Sequence, residues 1–249
     1  METTLRSIPL FSQLRESDLW RLREATVSRS YPKDSIILFE GEQAEALYVV
    51  LSGRVKVVYV SEDGREVILG TRDNGDFFGE TALLDELPNP AHVIAMQDTE
   101  LLVLRREEFR RCLAEMPGMS LGLLRVLSRR LRSQDDTIRG LVLLDVRGRV
   151  ARLILDLAER NDGSAVPKGI THNLIAQMVG ASRETVSRTL RELTTEGLLE
   201  VTGRRIAVAN RPALAAAAQL EPVTKYQPAP PVAVGQTFTR RSTDAVAGS

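Results

Sequence analysis

A single cysteine, Cys112, in a chain of 249 residues excludes an internal disulfide framework and a self-contained four-cysteine metal or iron–sulfur site. Two histidines, His92 and His172, are too few for a protein-built zinc site. No apolar run approaches the roughly 20 residues needed to span a membrane. The N-terminus, Met1-Glu2-Thr3-Thr4-Leu5-Arg6, lacks the basic-then-apolar layout of a secretory signal, so a cytoplasmic protein without a membrane partner is expected. Charge of either sign is not in excess, since 33 Lys and Arg balance 33 Asp and Glu. There is no nucleophile–base pair, P-loop or metal constellation, so neither an enzyme nor a cofactor is expected.

What is present is a globular composition, 43% hydrophobic and 27% charged, in a chain long enough for two compact domains. Zero net charge does not argue for nucleic acid, but the local field decides what a phosphate backbone meets. Residues 146–210 hold ten Lys and Arg against seven Asp and Glu, a modest excess. Local pattern has to carry the reading.

Residues 7–27 contain a helix signal in Ser17-Asp18 leading into Leu19, Leu22 and Arg23. From residue 31 to 104 the pattern changes to short β-rich stretches at 35–39, 47–51, 54–60, 67–69 and 99–104. In the third, Val55, Val57 and Tyr59 are expected on one face. Gly41, Gly53, Asp63-Gly64, Asn74-Gly75 and Gly79 break these stretches, which predicts an antiparallel sandwich or barrel. A helical region opens at Arg106, Pro117 interrupts it, and a longer helix follows. Leu124, Leu131 and Ile138 take one heptad position there, and Leu127, Gln134 and Leu141 the other. A seam this long asks for a partner surface, so a homodimer is expected rather than a helix packed only on its own domain. Asp145 is placed to cap a new helix over 146–159, as a hinge between domains. The expected division is 1–116, 117–144, 145–212, and a flexible tail over 213–249 that carries Pro228, Pro230 and Pro231.

Residues 171–193 hold the densest signal. Thr171 caps a short helix with Leu174, Ile175 and Met178 inside, and Gly180 permits the left-handed turn that ends it. Ser182 caps a second helix with Val186, Leu190 and Leu193 inside, leaving Arg183, Glu184, Ser187 and Arg188 outward. An ordinary surface helix of mixed charge shares part of this pattern. The next segment separates the two, because residues 200–208 form a hairpin with Arg204 and Arg205 at its tip. Together these predict a winged helix-turn-helix that enters a DNA major groove with its second helix. Arginine donates twice to guanine and glutamate accepts from cytosine, which assigns base reading to Arg183, Glu184 and Arg188. Thr171, His172, Ser182, Thr185, Ser187, Arg204 and Arg205 are the candidate phosphate contacts.

This segment resembles the DNA-binding domain of the cyclic-AMP receptor protein/FNR family of bacterial regulators. The resemblance extends through Leu144-Asp145-Val146-Arg147-Gly148-Arg149, the long helix, Leu51-Ser52-Gly53-Arg54-Val55, and Phe78-Gly79-Glu80-Thr81-Ala82-Leu83-Leu84. It implies an α+β protein: an N-terminal double-stranded antiparallel β-roll of the cyclic-nucleotide-binding type, a long dimerisation helix and the C-terminal winged helix-turn-helix. It also implies a homodimer on a two-fold symmetric site with a GTG core, and RNA polymerase as a partner. The ligand pocket departs from the family. Glu80, beside Gly79, Thr81 and Ala82, matches the carboxylate that accepts from a ribose hydroxyl, but Asn89 and Pro90 stand where the cyclic phosphate is clamped by Arg and Ser or Thr. Asparagine has no charge, and proline has neither hydroxyl nor N–H. That loss costs several kcal/mol, on the order of 10²-fold or more in affinity. Gln134 and Asp135 replace two small hydroxyl residues at the adenine. The expectation is a regulator that works without cyclic AMP. The pocket is left as empty, as scaffold, or as the site of another effector such as a different nucleotide or a cyclic dinucleotide. A regulatory module acting on a partner protein is the remaining alternative, and the basic wing argues against it.

Overall fold

The computed structural model describes residues 5–218 apart from Asp63, Asp162 and Arg204. β1 (Thr26–Tyr31), β8 (Thr99–Arg105), β3 (Ala46–Ser52) and β6 (Phe77–Phe78) pair antiparallel in that order. β2 (Ile36–Leu38), β7 (His92–Ala95), β4 (Val55–Val60) and β5 (Glu66–Arg72) form a second antiparallel sheet. The inner faces meet in one cluster, Tyr48, Val50, Phe78 and Leu101 against Leu38, Val55 and Val93. This is the expected β-roll.

The first sheet's outer face, with Leu47, Val49, Phe77 and Leu104, is covered by helices. These are α1 (Glu16–Ala25), α2 (Glu80–Leu84), α3 (Arg106–Glu115) and the start of α4 (Pro117–Leu143). Leu22, Phe109 and Met119 are wholly buried in this layer, each contributing about 1.5–3 kcal/mol of apolar transfer. The turn into α2 requires Gly79: its φ is 86°, and a Cβ there would lie 2.8 Å from the Ala46 carbonyl oxygen.

Beyond α4 come α5 (Val146–Glu159), α6 (His172–Val179), α7 (Arg183–Thr195), β9 (Leu199–Thr202), β10 (Arg205–Val208) and α8 (Arg211–Ala217). Val150, Ile154, Ile175, Val186 and Leu193 are its wholly buried centre. Val58 and Ile68, from the outer face of the second sheet, belong to the same cluster. Gln177 on α6 donates to Glu66 on β5 at 3.0 Å, and Lys56 on β4 pairs with the same carboxylate oxygen at 2.8 Å. The C-terminal domain is therefore seated on the β-roll.

The helix signalled by Ser17 and Asp18 is present as α1, with Asp18 in its first turn accepting from the Arg15 guanidinium at 2.9 Å. Three expectations are corrected. Val55, Val57 and Tyr59 do not share a face, because the register slips between Val57 and Val58 and buries Val58 instead, leaving Tyr59 exposed. Residues 213–217 belong to α8, whose Leu214 is fully buried, so this helix runs past the expected domain end; the rest of the expected tail, from 219 on, lies outside the described residues. The heptad rows also differ. Leu124, Leu131 and Ile138 are exposed, as is Leu141, but Leu127 packs on the β-roll's helical layer and Gln134 borders a cavity beside β5. Leu121, Ser128, Asp135 and Val142 form the exposed companion row.

Candidate DNA interface and ligand cavity

Local chemistry builds the helix-turn-helix as the sequence predicts. The Thr171 hydroxyl accepts from the Leu174 N–H at 3.2 Å, and the Ser182 hydroxyl from the Thr185 N–H at 3.1 Å. Gly180 ends α6 at φ 66°. Arg183, Glu184 and Arg188 are exposed at the start of α7. The Glu184 carboxyl is held below its ordinary range by a backbone hydrogen bond at the helix N-terminus and by Ser182, so it is an acceptor at neutral pH. Arg188 lies 3.9 Å from Glu192, too loose to immobilise it. His172 Nδ1 lies 3.0 Å from the Ser187 hydroxyl, tying α6 to α7, and the Thr185 hydroxyl lies 3.0 Å from that of Ser182. Several candidate phosphate contacts thus also brace the motif. Gly203 turns the wing between β9 and β10 at φ 60°, and Arg205 is exposed beside it; Arg204 lies outside the described residues. At the junction, Asp145 accepts from the Gly148 N–H at 2.7 Å and starts α5 where expected.

Two polar ligand positions of the β-roll, Glu80 and Asn89, are buried and engaged. Glu80 is buried, and its Oε1 accepts from Arg130 Nη1 at 2.6 Å and from the Thr81 hydroxyl at 3.4 Å. Arg130 also donates to the Phe77 carbonyl and lies 4.4 Å over the Phe77 ring. Asn89 is buried and serves as a loop brace. Its Nδ2 donates to the Phe39 carbonyl at 3.2 Å, its N–H to Glu42 O at 2.8 Å, and its carbonyl accepts from Gly41 N–H at 2.9 Å. Pro90 and Thr81 are exposed, Ala82 is buried, and Asp135 faces outward on α4. His92 is a half-buried strand residue whose Nδ1 accepts from the Glu40 N–H at 3.2 Å.

A cavity of about 750 Å³ opens between β5, the turn after it, α4 and the end of α5. Its wall includes Arg54, Arg72, Arg129, Arg130 and Arg160 against Asp73 and Asp76. Arg54 pairs with Asp73. Arg72 is the residue that sequence reading missed, because an arginine near a strand end ordinarily points to water. Here its Nη1 donates to the Thr71 carbonyl at 2.9 Å, while its Nε is the only buried side-chain nitrogen or oxygen without a hydrogen-bond partner among the described residues. Burial, helped by the charge of Arg130, pushes its pKa down to about 10, so it remains a cation at neutral pH.

Comparison with known proteins agrees with both halves of this geometry. Residues 28–116 match the cyclic nucleotide-binding domain, and residues 148–217 the Crp-like helix-turn-helix domain. Over 222 residues, 86% of this chain and 98% of the relative, the sequence is 32% identical to the CRP-like cAMP-activated global transcriptional regulator of Mycobacterium tuberculosis. The chain belongs to the CRP/FNR family of transcriptional regulators. The cAMP-activated global transcriptional regulator CRP of Pasteurella multocida is 36% identical over 194 residues, 76% of this chain and 92% of its own. Among solved structures, FixK2 from Bradyrhizobium japonicum aligns with a TM-score of 0.69 at 28% identity, covering 76% of this chain and 95% of that one. The c-di-GMP responsive regulator CLP of Xanthomonas campestris aligns at 0.66 with 26% identity, covering 79% and 100%. As a CRP/FNR protein, the chain is a DNA-binding transcriptional regulator with the β-roll, long helix and helix-turn-helix of its family. Among the described residues of this CRP/FNR regulator, no helix is long and apolar enough to cross a membrane, and no three His, Cys, Asp or Glu side chains are grouped to hold a metal.

Proposed function

We propose that this regulator is a homodimer that binds a two-fold symmetric, GTG-containing DNA site without needing cyclic AMP. Asn89 carries the second half of this reading. At the phosphate-clamp position stands an uncharged side chain already spent on the Phe39 carbonyl, followed by a proline, while Glu80 is occupied by Arg130. Relatives named as cAMP-activated therefore do not set the expectation here. In the proposed complex Arg183, Glu184 and Arg188 read base edges. Thr171, His172, Ser182, Thr185, Ser187, Arg204 and Arg205 hold phosphates.

Pairing runs through the exposed apolar face of α4. Leu124, Leu131, Ile138 and Leu141 are each more than half exposed in the single chain, a row that water disfavours and a second copy would cover. RNA polymerase is the expected protein partner. Footprinting of the apo protein on a palindromic GTG-containing promoter should show protection, with half-site centres about one helical turn, roughly 10 to 10.5 bp, apart. Protection that appears only after cyclic AMP is added would refute cyclic-AMP independence. Equal affinity for random and palindromic DNA would refute sequence reading. A second reading, the same fold gated by another effector, is favoured by the arginine-lined cavity and its unsatisfied Arg72.

A further inference from the structure

Three parts of the molecule meet at the cavity. Arg72 comes from the end of β5, Arg129 and Arg130 from α4, and Arg160 from the residue after α5. Gly79, Glu80, Asn89 and Pro90 do not line it, so it is distinct from the cyclic-phosphate clamp positions, and it borders the family's pocket at Gln134. The wall carries five arginines against two carboxylates, Asp73 and Asp76; Glu80 is bound to Arg130, and Asp136, Asp156 and Glu159 lie on the adjoining surface beside Arg129 and Arg160. Among the described residues Arg72, Arg129 and Arg160 have no ion-pair partner. A buried guanidinium with an unsatisfied N–H is unfavourable unless an anion or water completes its bonds.

We propose that this cavity binds a ligand carrying two or more phosphate groups, with Arg72 in its wall and Arg129 and Arg160 at its mouth. The inference rests on the effector-gated reading and names the chemistry of that effector. Guanidinium forks match phosphate oxygens two at a time. A single cyclic phosphate engages one part of this arginine wall, whereas two or more phosphates can engage Arg72 and the arginines at the mouth together. The volume of about 750 Å³ falls within the roughly 300–1,000 Å³ of small-molecule clefts. Because Arg160 follows the first helix of the DNA-binding domain, the bound ligand joins the β-roll and α4 to that domain, and its binding is coupled to DNA affinity.

The test is calorimetry on the full chain with four probes: ATP, cyclic di-GMP, cyclic AMP and citrate. At least one of the first two should bind about tenfold or more tighter than cyclic AMP and citrate. The separate ATP and cyclic di-GMP arms tell a linear polyphosphate from a cyclic dinucleotide. Arg72→Met should weaken that binding at least tenfold. Arg129→Ala and Arg160→Ala change exposed side chains that the fold does not need, and each should weaken it about three- to tenfold. The bound probe should also shift operator affinity by about 5- to 150-fold, a readout that a purely structural arginine does not produce. Failure of both phosphate-rich probes, equal binding of citrate or cyclic AMP, or indifference to the Arg129 and Arg160 changes overturns the proposal. If no probe binds while the apo protein still protects its palindrome, the cavity proposal falls and DNA reading stands. If protection is lost as well, both fall.

Discussion

The DNA-binding domain and the β-roll treat their polar groups in opposite ways. At the start of α7 the hydroxyls of Ser182 and Thr185 are used to begin the helix, and Arg183, Glu184 and Arg188 are left exposed. In the β-roll Glu80 and Asn89 are tied to Arg130 of α4 or to a main-chain carbonyl, and one cation, Arg72, is left with an unpartnered buried Nε. An interface for a large polyanion works by keeping charge free and solvated until the partner arrives. A small-ligand cavity works by pre-arranging buried groups whose bonds the protein itself does not finish. Within one family architecture the proposed DNA-reading surface keeps its charges free, and the proposed sensing site does not.

The contrast is most exposed to failure at the Glu80–Arg130 pair, whose side chains are only 7% and 18% accessible. Arg130→Ala strands a buried carboxylate and should destabilise the protein by about 3–5 kcal/mol in denaturant unfolding. A second change, Glu80→Leu, should recover much of that loss; no recovery would mean the pair is not what holds the β-roll there. In the DNA-binding domain the largest effect should come from its core. Ile175→Ala removes a side chain with no exposure and should cost about 2–5 kcal/mol by thermal or denaturant melting. Arg183→Ala or Arg188→Ala should leave melting unchanged and weaken operator binding by about 1–3 kcal/mol with relaxed base preference. Arg205→Ala should instead weaken all sequences alike, as titrations on matched and scrambled duplexes would reveal. The smallest change should be Ser182→Ala, about 0.5–2 kcal/mol of stability through the lost cap, with Ser182→Gly nearly neutral.

Features encoded by neighbouring residues were legible in the sequence. Asp145, Thr171 and Ser182 cap the helices they immediately precede, and Gly180 closes its helix through its own backbone. The glycine breaks among the strands read correctly for the same reason. Features set by distant contacts did not. The slip between Val57 and Val58 depends on pairing with β5, and the packing of Leu127 and the place of Gln134 beside the cavity depend on the β-roll that α4 rests against. Asn89 reads as a failed clamp, and only the fold shows it bracing residues 39–42. The start of α8 did carry a local signal, Asn210 before Arg211-Pro212, and Asn210 indeed caps the Ala213 N–H at 3.1 Å.

The seating of Val58 and Ile68 among Val150, Ile154 and Ile175 has a consequence for how the molecule comes apart. Modules drawn along the chain place the β4–β5 hairpin with the N-terminal half, yet its outward side chains share their dry surroundings with the C-terminal helices. Opening one wets the other. Amide exchange in the hairpin is therefore coupled to that of α6 and α7, so the cooperative unit of unfolding crosses the boundary that chain order draws.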